Sequence, residues 1–246
     1  MNPLYITRLC AWAPGVENPD EWEQWAQGKR EIASETQSPA LAFTDSLFRR
    51  RLSQISKMTV QVVHDLLPVG EDTKMFFVSF RGELARQYQI NKMLIEEKSL
   101  SPAAFSLSVF NAPAALASIA LGLKGGYSAL YPGNNSFAAG LDAAAASFVS
   151  DEQKELIFVY ADEQAPPEYG CYANECSSAI AFAFLLTREP QPSLTTGKLA
   201  GEGSPLEPQS LSVPLSSINE GEDYTSGRPL DFLRRLLLCG KIHVSS

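Results

Sequence analysis

Histidine and cysteine are scarce in this chain of 246 residues: His64 and His243 are its two histidines, and Cys10, Cys171, Cys176 and Cys239 its four cysteines. No C-x-x-C pair occurs, so neither a zinc ribbon nor a dithiol redox motif can be read. Cys171 and Cys176, flanking Glu175, are the one close pair worth a metal or redox test. Otherwise the thiols read as reduced and structural, and no metal or cofactor is expected. Positive charge is short as well. Twenty Lys and Arg against 28 Asp and Glu leave a formal charge of −8, which argues against binding nucleic acid or an anionic membrane. An acidic partner would be repelled unless it met a local basic run such as Arg49-Arg50-Arg51 or Arg234-Arg235. No apolar stretch reaches the roughly 20 residues needed to cross a bilayer. Met1 to Arg8 lacks the charged-then-apolar order of a signal peptide, so a cytoplasmic location is expected.

What the chain does have is alternation of strand-like and helix-like segments. Leu4 to Trp12 alternates as an opening strand, and Asp20 to Ala26 follows as a short helix behind the Asn18-Pro19 turn. Between Thr44 and Leu67, apolar residues at Leu52, Ile55, Met58, Val62 and Leu66 form one helical stripe. Met75 to Phe80, Glu155 to Tyr160 and Ser178 to Leu186 are apolar runs suited to strands buried on both faces. Helices are predicted over Glu83 to Glu97, with Leu84, Tyr88, Met93 and Ile95 partly inward, over Ala112 to Leu123 and over Asn135 to Phe148; Tyr127 to Tyr131 is a further strand. The order implies an α/β fold with a mixed, mostly parallel sheet and helices on both faces. Residues 1–188 form the main domain in this reading. Residues 189–227, rich in Pro, Gly and Ser, read as a linker or extended loop, and 228–246 as an amphipathic helix and tail.

The strand-turn-helix from Leu123 through Gly133-Asn134-Asn135-Ser136 into the Ala-rich segment is the candidate site. Such turns present nucleophiles, yet no cysteine or histidine-backed hydroxyl stands at this apex. A hydrolase or acyltransferase using Ser136 or Cys171 remains an alternative. It lacks the G-x-S-x-G spacing, and only His64 or His243 could act as base. An anion site at Lys124-Gly125-Gly126 is weakly signalled, because no helix follows it directly.

The run Ser101 to Asn111, then the small-residue helix from Ala112, the Leu123-Lys124-Gly125 motif and the turn resemble the N-terminal half of β-ketoacyl synthases of the thiolase superfamily. The likeness spans roughly 1–188 and is closest to the shortened, chain-length-factor-like members found with aryl polyene and related type II polyketide systems. It implies a thiolase-like half-domain. The family's nucleophilic cysteine falls nine positions after the motif glycine, where Asn134 stands here. Asn134 cannot carry an acyl group, because its amide lone pair is delocalised. The histidine pair that completes the family's Claisen condensation belongs to a C-terminal half with no matching motif here. Ala161-Asp162-Glu163 occupies the place of a Gly-Gly-(Ala/Ser)-Glu turn, without the glycines.

The resemblance therefore implies no catalytic residue. It implies a heterodimer with an active β-ketoacyl-acyl-carrier-protein synthase, formed through the strand Tyr127, Ser128, Ala129, Leu130 and Tyr131. Phe105, Phe110, Asn111, Asn134 and Phe137 are then candidates for facing the partner or its acyl tunnel. Acyl carrier protein, itself acidic, would dock mainly on the partner. A homodimer that binds an acyl chain or a carrier protein is a further alternative.

Overall fold

The computed structural model describes residues 4–33, 37–133, 136–151, 153–173, 178–190, 209–215 and 228–242. Six strands form one sheet: β1 (Tyr5–Trp12), β2 (Lys74–Val78), β3 (Tyr127–Leu130), β4 (Glu155–Asp162), β5 (Ile180–Thr187) and β6 (Gln209–Pro214), in the order β3-β2-β4-β5-β1-β6. The helices are α1 (Pro19–Ala26), α2 (Ser46–Arg51), α3 (Gln54–Asp65), α4 (Leu84–Glu97), α5 (Pro102–Ser106), α6 (Ala112–Leu121), α7 (Phe137–Ser150) and α8 (Pro229–Ile242). A 3-10 segment spans Pro167–Ala173.

The uniformly apolar strands are explained by cores on both faces. Side chains alternate across a strand, so Phe76, Val78, Phe158, Tyr160, Phe182 and Phe184 meet Trp22 and Trp25 of α1, Phe137 and Leu141 of α7, and Phe232 and Leu236 of α8. The intervening residues Met75, Phe77, Ile157, Val159, Ala181 and Ala183 point the other way, onto Ile55, Met58 and Val62 of α3 and Ala114 and Ala117 of α6.

The sheet is mixed, and parallel over only part of its width. β3, β2 and β4 are parallel, whereas β5 pairs antiparallel with β4, and β1 antiparallel with both β5 and β6. Direction follows the connections. Helices α4 to α6 carry the chain from β2 to β3 and α7 from β3 to β4, as a parallel crossover requires; β4 and β5 are joined without an α-helix, so the chain simply returns.

Three expectations change. The single helix predicted over 44–67 is two helices, because Leu52 and Ser53 are extended: Ser53 caps α3 by accepting from Ser56 N at 3.1 Å and donates to Glu83 Oε1 at 2.6 Å. In α4, Ile90 is the buried residue, while Ile95, predicted partly inward, is 78% exposed. Within the stretch read as linker, Gln209–Pro214 forms the outer strand β6, and α8 beyond it packs into the core through Phe232, Leu233 and Leu236. No helix among the described residues is long and apolar enough to cross a membrane.

Candidate partner-facing site

The site is built at one edge of the sheet. β3 pairs with β2 on one side and, among the described residues, with no strand on the other. Tyr127, Ser128, Ala129 and Leu130 are all half-buried, and Tyr131 just beyond them is 53% exposed. An unpaired edge leaves a row of backbone N–H and C=O groups available to another chain. Upstream of β3, Gly125 is obligatory on steric grounds: an added Cβ would fall on the backbone of Asp72, since Lys124 N and Gly125 N both donate to Glu71 O. The Leu-Lys-Gly motif thus seats the start of β3 against the approach to β2.

Asn111 precedes α6 but does not cap it; its Nδ2 instead donates to Tyr127 Oη at 2.9 Å, tying the helix start to the edge strand. Phe110, half-buried, packs edge-to-face on Phe77 with ring centroids 6.2 Å apart. Phe105 on α5 is 55% exposed, Val109 43% and Ile119 on α6 73%. With Leu94 and Ile95 from the end of α4 and Leu100 just after it, seven of the twelve exposed large apolar residues among the described residues lie between 94 and 131. α6, which carries Ile119, packs on β3, whereas α5 packs on α4, so of these side chains it is Ile119 that is borne by the helix beside the edge strand. Exposed apolar side chains gathered within one stretch of chain make it a candidate for interaction.

Phe137 does not face outward. It is 1% exposed and lies at the centre of the core, with ring centroids 5.9 Å from Phe158, 5.5 Å from Tyr160, 5.9 Å from Phe182 and 5.0 Å from Phe232. As the first helical residue after the turn, its side chain points back onto the sheet. Asn134 lies outside the described residues. Ser136 caps α7, its Oγ accepting from Ala139 N at 3.3 Å. His64, at the end of α3, stacks on Phe43 at 3.5 Å and pairs with Asp65 at 3.0 Å. α3 and α7 cover opposite faces of the sheet, so His64 is no base for Ser136. His243 and the side chains of Cys171, Cys176 and Cys239 lie outside the described residues. No group of acidic, histidine or cysteine residues suited to a metal occurs among the described residues.

Below the edge lies a network of buried carboxyls at the carboxyl ends of β2 and β4. Asp162 is fully buried and accepts from Ser79 Oγ at 2.7 Å, Arg81 N at 3.0 Å, Phe80 N at 3.0 Å and Tyr160 Oη at 2.5 Å. Burial raises its pKa, against the opposing pull of these donors. Glu163 accepts from Ile55 N at 3.2 Å and from Ala85 N, the amino ends of α3 and α4; burial, then the nearby Glu83, push its pKa up to about 7. Glu83 accepts from Ser53 and Ser56 hydroxyls, and its pKa is also raised by burial. Arg86 Nε lies 3.3 Å from Glu83 Oε2, close enough for an ion pair but not aligned as a hydrogen bond. The sequence points to Ala161-Asp162-Glu163 only by position; Ser79, Glu83 and Ile55, which face it, are separated from it by about 80 to 110 residues and carry no local signal.

The fold is shared with known structures. A chain of the ketosynthase (ApeO) complex with its chain length factor (ApeC) from Xenorhabdus doucetiae superposes with TM-score 0.60 at 26% identity, over 75% of this chain and 79% of that one. The ishigamide ketosynthase/chain length factor gives TM-score 0.55 at 13% identity, covering 75% and 62%. A β-ketoacyl synthase from Burkholderia phymatum gives 0.59 at 12%, covering 76% and 59%, so this chain spans less than two thirds of the last two. No curated protein matches in sequence. The mixed sheet with helices on both faces is the thiolase-like fold of these ketosynthases. Residues 22–221 match the family model for the β-ketoacyl synthase N-terminal domain, and the chain belongs to that family.

Proposed function

We propose that this protein is a chain-length-factor-like subunit without condensing activity of its own, pairing with an active β-ketoacyl-acyl-carrier-protein synthase in the cytoplasm. The observation that carries the reading is the edge of β3 that no described strand covers, flanked by α6 with Ile119 exposed, while Phe105 and Val109 are exposed in the chain leading into α6. Pairing through β3 would satisfy the backbone groups on the side that no described strand covers, and the exposed apolar side chains would leave water, at about 25 cal/mol for each Å² buried. The likeness to a ketosynthase complexed with its chain length factor supports the same assignment.

Condensation needs a thiolate to carry the growing chain, and Asn134 stands in its expected place. The partner therefore holds the acyl chain, while Phe105 and Phe110 project from this subunit to bound its tunnel. Acyl carrier protein meets mainly the partner, since this subunit carries −8 and repels an acidic protein at ordinary salt. The product is an elongated polyene, polyketide or fatty acyl chain.

Reconstitution tests this. The subunit, a cysteine-bearing ketosynthase encoded beside it, and carrier protein are combined with acyl and malonyl thioesters, and acyl loading is followed by mass spectrometry. Elongation by the pair, with label on the partner's cysteine and none on this chain, is expected. Covalent acylation of this chain, or thioester hydrolysis by it alone, would overturn the proposal.

A further inference from the structure

Phe110 rests on a glycine whose own position is fixed from the core. Gly82, in the loop between β2 and α4, has φ +56, and a Cβ added there would lie 2.6 Å from Phe110 Cδ2, 3.1 Å from Cε2 and 3.3 Å from Phe110 Cα. Ring and backbone of residue 110 are therefore both seated against it. The loop is not free to give way. Ser79 Oγ accepts from Gly82 N at 2.7 Å and from Arg81 N at 3.2 Å, and Asp162 holds Ser79 Oγ, Phe80 N and Arg81 N. One buried carboxylate and one hydroxyl thus bind every backbone N–H from 80 to 82.

We propose that Gly82, locked by Asp162 through Ser79, is a positioning residue that sets how far the Phe110 ring projects toward the acyl chain. The inference rests on the reading that Phe110 bounds the partner's tunnel. A methyl at residue 82 needs contacts of about 3.5 Å, so the ring must move away from residue 82 by about 1 Å, and on this proposal it moves toward the acyl chain. The acyl path shortens. Removal of the ring lengthens it, and the two substitutions have opposite signs, which a general loss of packing would not produce.

The test uses the assembled complex with its ketosynthase. Gly82→Ala should shift the main product shorter by at least one elongation step, and Phe110→Ala should shift it longer. Gly28→Ala is the control: its φ is +72, with nothing within 4 Å of an added Cβ, so it carries the backbone strain without the contact and should leave the products unchanged. 4-Fluorophenylalanine at residue 110 supplies a readout independent of product: its 19F resonance should move with Gly82→Ala and with Asp162→Asn, and stay with Gly28→Ala. If Phe110→Ala alters the products while Gly82→Ala does not, the positioning role is wrong and the tunnel reading stands. If neither alters them, the tunnel reading itself fails and this inference with it. Should Gly82→Ala not fold, Asp162→Asn decides: a displaced resonance with a broadened product distribution supports the role, and an unmoved resonance overturns it.

Discussion

Replacing Glu163 by glutamine should make the protein less sensitive to alkali, because the wild-type carboxyl must ionise in a place built for its neutral form. Glu163 is 4% exposed, its Oε1 has no hydrogen-bond partner, and Glu83 lies close enough to oppose its ionisation. Its pKa rises from 4.5 to about 7 in the folded chain. A folded pKa above the unfolded one means that the folded state holds the proton more tightly. The resulting stabilisation is fully present below pH 4.5 and is lost as pH rises through about 7. At about 1.4 kcal/mol per tenfold in proton affinity, this group accounts for a loss of about 3 kcal/mol across that window. Glutamine has no proton to lose and keeps a carbonyl to accept from Ile55 N or Ala85 N. Glu83 and Asp162 titrate in the same direction in both proteins, so the informative quantity is the difference between two curves. Urea unfolding at intervals from pH 5 to 8 measures it. The wild type should lose stability relative to Glu163→Gln as pH rises, the gap widening by about 3 kcal/mol. Parallel curves would refute the reasoning.

Other expectations are simpler to check. Phe137→Ala removes the hub ring joining α7, β4, β5 and α8, and should destabilise the fold by about 3–5 kcal/mol in the same unfolding assay. Tyr127→Phe deletes the acceptor for Asn111 Nδ2; a cost of about 1 kcal/mol to the subunit is expected, together with faster amide exchange at the start of α6. Wild-type protection there would show that this bond does not hold the helix to the edge. Trp25→Ala removes the ring under the Arg234 guanidinium, 4.9 Å away, and should loosen α8 in hydrogen exchange before the central strands respond.

Much of the fold is legible because its signals are local. The apolar runs of β2, β4 and β5 announce strands covered on both faces, and Asn18-Pro19 with Glu21 announces the start of α1, where the full capping box forms. Features set by distant partners are not legible. Gln209–Pro214 sits in a Pro- and Gly-rich stretch and becomes a strand only because β1 presents an edge to it. The break between α2 and α3 depends on Ser53 finding Glu83, 30 residues away. At the site, the motif from Asn111 to Gly125 locates β3 and its edge. Phe105 and Phe137 are both aromatic residues near the motif, yet one is 55% exposed and the other 1%. Composition cannot separate an exposed ring from a core ring; only the packing does, with α7 laid on the sheet and α5 on α4.

The central claim is that the surface around β3 belongs to a ketosynthase partner. Co-expression with that enzyme, followed by sedimentation of wild type and Ile119→Glu, tests it most directly, since Ile119 is 73% exposed and its loss leaves the core intact. The account predicts a one-to-one complex for the wild type, and for Ile119→Glu a folded subunit that no longer joins it. A variant that still assembles with undiminished affinity, or a wild type that forms no complex at all, would contradict it.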